Sequence, residues 1–316
     1  MKRVVWALWV MIFFAGPAAA QEDTLCPSSR KPVLNGHPFH FGDGVEQSPF
    51  TVSYLAGSIG IGNTGTMTLP GIVVGEEEIL SFTGELTFFN ASLDFRQRVN
   101  DWLAFFISYQ LMGRVGTDVP TLLVDGLNSL SGGEIGWLVR FCHRDRFILS
   151  GTLNLQNMSG SFFDIVGYIN DLLDSVPNPK ASDRVPVMNG GVGLKAAWSP
   201  NASVGFLADA DLLYGESFVR GANDFYLSFG LMADIDLMPE YHVPLGFNLG
   251  YTFSSMPEHT LMEFDHTNIL GLRFEYTGSG DYDVGLQFSF YRYELDNIEV
   301  RRPWVKNTAL NFRLYF

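Results

Sequence analysis

The chain has 316 residues, of which 47% are apolar and only 17% charged, with 33 glycines, 27 phenylalanines and 2 cysteines. Such a composition holds too much apolar surface for a disordered chain and suits many short strands joined by tight turns. The formal charge of −14 excludes nucleic acid as a partner of choice, because phosphate binding needs a basic face.

Residues 1–20 have the layout of a secretory signal: Lys2 and Arg3, an apolar run from Val4 to Ala15, a Gly16-Pro17 break, and Ala18-Ala19-Ala20 as the cleavage site. Gln21 is expected to begin the mature chain, with an uncleaved anchor helix as the alternative. Without Lys2 and Arg3 the mature chain has 18 basic residues against 34 acidic ones, a formal charge of −16. Residues 21–49 read as a periplasmic N-terminal segment, and 50–316 as one barrel.

Beyond the signal, every long apolar run is broken by a charge or a turn. The chain alternates instead, in segments near 50–60, 80–98, 101–113, 132–142, 146–157, 187–198, 203–213, 224–236, 243–253, 265–276, 281–293 and 306–316. Several are long enough for a tilted membrane crossing of about 9–11 residues. The even-numbered segments are followed by short turns, such as "HRD" near 144 and "TGSG" at 277–280. Longer connections follow the odd ones, at 61–79, 114–131, 158–186, 214–223, 254–264 and 294–305. Short periplasmic turns alternating with long external loops are what a bacterial outer-membrane barrel produces.

Parity agrees with that reading. Phe225, Leu227, Phe229, Leu231, Ala233, Ile235 and Leu237 share one face, and Tyr226, Ser228, Gly230, Asp234 and Asp236 the other. The polar faces hold many charges and glycines, so the apolar side is expected outside. Trp198, Tyr276, Tyr282 and Phe316 fall where a periplasmic aromatic belt belongs, and Phe225, Phe253, Phe290 and Trp304 where an outer one does.

The chain ends "TALNFRLYF", with Leu310, Phe312, Leu314 and Phe316 alternating to the last residue. This stretch resembles the C-terminal signature of Gram-negative outer-membrane β-barrels, with Leu314 where that pattern often has Tyr. The resemblance implies an all-β transmembrane antiparallel barrel, surrounded by outer-membrane lipid and recognised through those four residues by the barrel-assembly machinery. About twelve strands enclose a narrow lumen, between the filled eight-stranded barrels and the open porins.

By parity the lumenal charges are Asp94, Arg96, Arg98, Glu134, Arg140, Lys195, Asp209, Asp211, Asp234, Asp236, Arg273, Glu275, Asp281, Asp283 and Arg313. They either pair with one another or form a charged constriction, with Asp209 and Asp211 as its acidic outer entrance. In the loop 158–186, Ser161 and Asp164 suggest a helix start, and Phe162, Phe163, Ile165, Val166, Ile169, Leu172 and Leu173 give the helix an apolar side. Such a helix caps the barrel, gates its mouth or lies on the membrane. Apolar helices in external loops are similar to those of the long-chain fatty-acid channels. That family has more strands and an N-terminal plug, so the likeness concerns mechanism alone.

Catalytic motifs are missing around the six histidines, and no cofactor is implied. "HPFHFGD" sets His37, His40 and Asp43 at a spacing that suits either a metal or an ordinary polar loop, and "EHTLMEFDH" with His259 and His266 reads the same way. Cys26 and Cys142 both belong on the periplasmic side, where an internal disulfide, which would pin the N-terminal segment beneath the barrel or fold it into the lumen, is the leading expectation and a free Cys142 the alternative. The sequence thus points to a passive channel for small solutes. A non-conducting surface-binding barrel and an outer-leaflet lipid enzyme are its rivals.

Overall fold

The computed structural model describes residues 31–40, 47–74, 77–115, 126–163, 165–173, 175–218, 223–256, 266–293 and 304–316. The expected signal peptide, Cys26, Asp43 and His259 lie outside them.

Two strands, β1 (Val33–Leu34) and β2 (His37–Pro38), make a small hairpin. Asn35 and Gly36 turn it with φ of 50° and 80°, the mirror-image turn that an Asn-Gly pair favours. The other twelve strands are β3 (Tyr54–Val74), β4 (Glu77–Arg98), β5 (Leu103–Val115), β6 (Gly126–Arg144), β7 (Phe147–Phe163), β8 (Ser182–Asn201), β9 (Val204–Glu216), β10 (Asn223–Asp236), β11 (Leu245–Ser254), β12 (Thr267–Tyr276), β13 (Tyr282–Tyr293) and β14 (Trp304–Tyr315). Each pairs antiparallel with the next. The last closes on the first through a ladder from Tyr315↔Tyr54 to Lys306↔Asn63, which leaves no open edge. Among the described residues two short helices interrupt the strands, α1 (Ile165–Leu173) and α2 (Met238–Tyr241).

All twelve expected segments are strands, but two expected loops are not loops. Residues 61–74 and 77–79 extend β3 and β4, paired from Thr66↔Glu85 to Val74↔Glu77. A bulge between Asn63 and Thr66, with Gly65 at φ 68°, breaks the alternation there and hides the strand from a period-two reading. Likewise Ser161, Phe162 and Phe163 are not helical. They pair with Arg184, Asp183 and Ser182 as the end of β7, and this ladder satisfies their backbone groups. β3, β4, β6, β7 and β8 run 17 to 22 residues, beyond the about 9–11 that a tilted crossing needs, so this wall rises past the external leaflet.

Parity holds around the barrel. Phe225, Leu227, Phe229 and Leu231 are exposed on the outside, while Tyr226, Ser228, Gly230, Asp234 and Asp236 are buried inside. Leu310, Phe312, Leu314 and Phe316 also face outward, and Tyr315 points in. Aromatic pairs brace the outer face, Trp198 on Phe206 at 5.5 Å and Phe229 on Phe253 at 5.4 Å between ring centroids. An outer surface so apolar has hydrocarbon as its natural solvent. Replacing Phe206 or Phe229 with Arg is therefore expected to cost about 2–4 kcal/mol in urea unfolding from lipid. Ser228→Arg should disturb the lumen instead, and equal small losses at both kinds of position would contradict the assigned faces.

Candidate functional site

The described part of the N-terminal segment lies inside the periplasmic end of the barrel. Leu34, Phe39 and Phe50 pack in one buried cluster with Ile148, Ala197, Leu207 and Met232 from β7 to β10. Polar contacts fix it on several walls. Asn35 donates to the Ser199 carbonyl at 3.1 Å, His37 Nδ1 donates to the Ala202 carbonyl at 3.1 Å, and Ser150 Oγ donates to the Pro49 carbonyl at 2.6 Å. On β4, Arg96 donates to the carbonyls of Ser48 at 2.7 Å and Phe50 at 3.2 Å.

His40 is the centre of this plug. Its backbone N–H donates to Asp234 at 2.9 Å, its carbonyl accepts from Asn248 at 2.8 Å, and its Nδ1 meets Asp283 at 3.1 Å. Asp283 also pairs with Lys31 and accepts from the Tyr315 hydroxyl at 2.9 Å. Burial pushes the His40 imidazole down, but Glu275, Asp236 and Asp283 outweigh it and hold the group well above its ordinary value. Arg273 pairs with Glu275 at 3.1 Å, Tyr54 donates to Asp94 at 2.6 Å, and the Arg313 guanidinium lies 4.4 Å from the Tyr54 ring centroid. Lys31, Arg96, Arg273, Arg313 and a protonated His40 thus face five carboxylates, Asp94, Asp234, Asp236, Glu275 and Asp283. Charges this deeply enclosed are tolerable because they compensate one another.

At mid-height, Lys195 pairs with Asp211 and lies 3.8 Å from Asp209, and Asn154 donates to Glu134 at 2.5 Å. Asp209 and Asp211 are therefore not an outer entrance. They sit in the middle of β9, opposite Lys195 and Gly193 of β8. Toward the outer mouth the lining turns apolar, with Leu130, Met158 and Val187 packed beside Met112, Phe162 and Phe218 on one side. Leu213, Tyr226 and Met256 continue it.

Three other charges depart from the parity expectation. Arg98 sits exposed at the periplasmic rim and pairs with Asp101 in the next turn, because the β4 ladder ends there. Asp281 is exposed in the turn before β13, and Arg140 meets His143 at 3.3 Å at the base of β6. Of the expected gate residues, Phe162 lines the lumen and packs on Phe218 at 5.7 Å. In α1, Ile169 and Leu172 are exposed and Leu173 is 77% exposed, so these positions are not packed into the mouth. Cys142 is half-buried beside a bulge of β6, and its expected partner lies outside the described residues. His266 stacks on Phe253 at 5.1 Å.

A closed barrel with an apolar outer band and a polar, charged interior is an outer-membrane barrel, and this chain is one. No family model matches the sequence, and no curated protein does. Solved structures of similar architecture include the KdgM porin in complex with disordered oligogalacturonate, at 6% identity and a TM-score of 0.43, over 83% of this chain and 99% of that one. The NanC porin gives 7% and 0.46 over 84% and 100%, and an outer-membrane channel from Pseudomonas putida F1 gives 13% and 0.45 over 88% and 100%.

Proposed function

We propose that this barrel is a passive channel for small solutes, amphiphilic ones included, with its N-terminal segment seated in the periplasmic end of the path. The observation that carries this reading is the grading of the lumen. Apolar side chains line one side of it near the outer mouth, opposite amides on β3, β4 and β14, with hydroxyls, amides and ions at mid-height and the charge-compensated plug at the base. An amphiphile meets matching surface in that order, whereas a purely structural barrel needs no such order.

Recording from purified protein in planar bilayers tests it. Stepwise ohmic currents are expected, and their complete absence across all conditions would sink the reading. One observation favours a surface-binding barrel as the second reading, the exposed apolar residues of α1. Deleting 165–173 separates the two. Unchanged currents with lost attachment to a surface ligand would support binding by the helix, and altered currents would make it part of the path.

A further inference from the structure

The inner wall from β7 to β12 carries two rows of side-chain oxygens in register. In register across the strands stand Thr152, Gly193, Asp211, Ser228, Ser254 and Thr267, and beside them Ser150, Lys195, Asp209, Gly230, Thr252 and Ile269. Every polar side chain in both rows ends in oxygen except Lys195. The two glycines leave room for their neighbours' side chains. A Cβ at Gly193 would strike Asp211 Oδ1 and Thr152 Oγ1, and one at Gly230 would strike Asp209 Oδ1 and lie 3.3 Å from Thr252 Oγ1, so these oxygens converge over the two glycines.

Those four oxygens are buried and have no hydrogen-bond partner, although Thr152 is 5% and Thr252 1% exposed. The other oxygen of each carboxylate faces Lys195. One ammonium against two carboxylates leaves an excess negative charge, and buried acceptors call for donors.

We infer that this mid-height wall is a binding step for solutes whose polar end is a hydrogen-bond donor, ammonium first and hydroxyl second, and that it turns anions away. The inference deepens the channel reading by naming the head group, and it rests on that reading only for the passage of the solute. An ammonium or hydroxyl that reaches these pairs from the lumen satisfies Thr152 with Asp211, or Thr252 with Asp209. A carboxylate there can accept from a threonine hydroxyl, but it meets the excess negative charge of Asp209 and Asp211 and is repelled. Lys195 positions the two acids and keeps their excess charge to one.

Saturation-transfer NMR on the full barrel in nanodiscs, with n-butylammonium, butan-1-ol and butyrate as probes and empty nanodiscs as the blank, tests the order directly. Transfer should fall from ammonium to alcohol to butyrate. Asp209→Asn with Asp211→Asn should weaken ammonium binding about tenfold, the worth of one charge-assisted contact. Because that variant disturbs Lys195, Thr152→Val with Thr252→Val is the second. It removes two oxygens that nothing else in the protein holds, so the fold should persist while ammonium and alcohol binding both drop. Equal transfer from all three probes, or an ammonium preference unmoved in both variants, would overturn the inference. Reversal potentials in a potassium chloride gradient separate it from the channel reading. Ammonium binding without any current ends the channel and leaves the binding step, whereas current with an anion preference and no ammonium binding does the reverse.

Discussion

A barrel lacking residues 31–40 is expected to pass severalfold more current than the full chain. Those residues reach from the β7–β10 wall, through Leu34 and Phe39, to Asp283 on β13, and so span the lumen at its base. His37, Phe39 and His40 are wholly buried there, which leaves the segment itself as the obstacle. Excision removes Lys31 and His40 and leaves Arg96, Arg273 and Arg313 facing five carboxylates, an excess that water can hydrate once the lumen opens. A cysteine pair gives the complementary arm. Asn35→Cys with Ser199→Cys, two sites already joined by a 3.1 Å hydrogen bond, should hold conductance at or below the wild-type level until reduced. Equal currents with and without the segment would place the main resistance higher, at the apolar mouth or the Lys195 level.

The second large effect is expected at Asp283. Its two oxygens serve Lys31, His40 and Tyr315, so Asp283→Ala strands the buried Lys31, leaves His40 with Asp236 and Glu275 alone, and should destabilise docking by about 3–5 kcal/mol. Hydrogen exchange of the 31–40 backbone should then approach that of a free loop while β5 to β9 stay protected. Fast exchange in the strands as well would mean that the barrel itself depends on this carboxylate. The wild type carries the same signal in its pH dependence. His40 is held above its ordinary value, so its contribution to docking is complete below about pH 6.5 and is lost as pH rises through the docked value. Exchange at 31–40, corrected for base catalysis, should accelerate over that rise, and His40→Gln should abolish the step.

The barrel was legible because its driving force is periodic. Each strand from β7 to β14 alternates a lipid face with a lumenal one, and a hydrocarbon exterior enforces that period more strictly than a soluble core does. Where the period slips, reading failed. The bulge at Asn63/Thr66 turned the end of β3 into an apparent loop, and helical spacing in Phe162 and Ile165 masked the last rung of β7. Parity also names lumenal residues without saying at what height they meet, so Lys195 with Asp209 and Asp211 emerged only from register. The plug was legible only through the expected disulfide, which would draw the segment beneath the barrel or into it. Its signal lay in "VLNGHPFHF", where an Asn-Gly turn joins residues that alternate Leu34, His37 and Phe39 inward, but a short hairpin has no period that says which surface will cover it.

Burial of that hairpin also sets an order of events in biogenesis. His40 belongs to the part of the chain that is synthesised and exported first, yet its partners follow 194 residues later at Asp234 and 243 later at Asp283. Contacts so distant cannot form while the sheet grows strand by strand, and closing a loop of that length is slow. Phe39 and His37 wait for β7 to β10, and His40 is not fully enclosed until β13 has joined the sheet. The β3–β14 seam must then either close around the hairpin or leave a base wide enough for it to enter afterwards. Maturation thus has two milestones, a sealed cylinder and a seated N-terminus, and only the second has Lys31 beside Asp283.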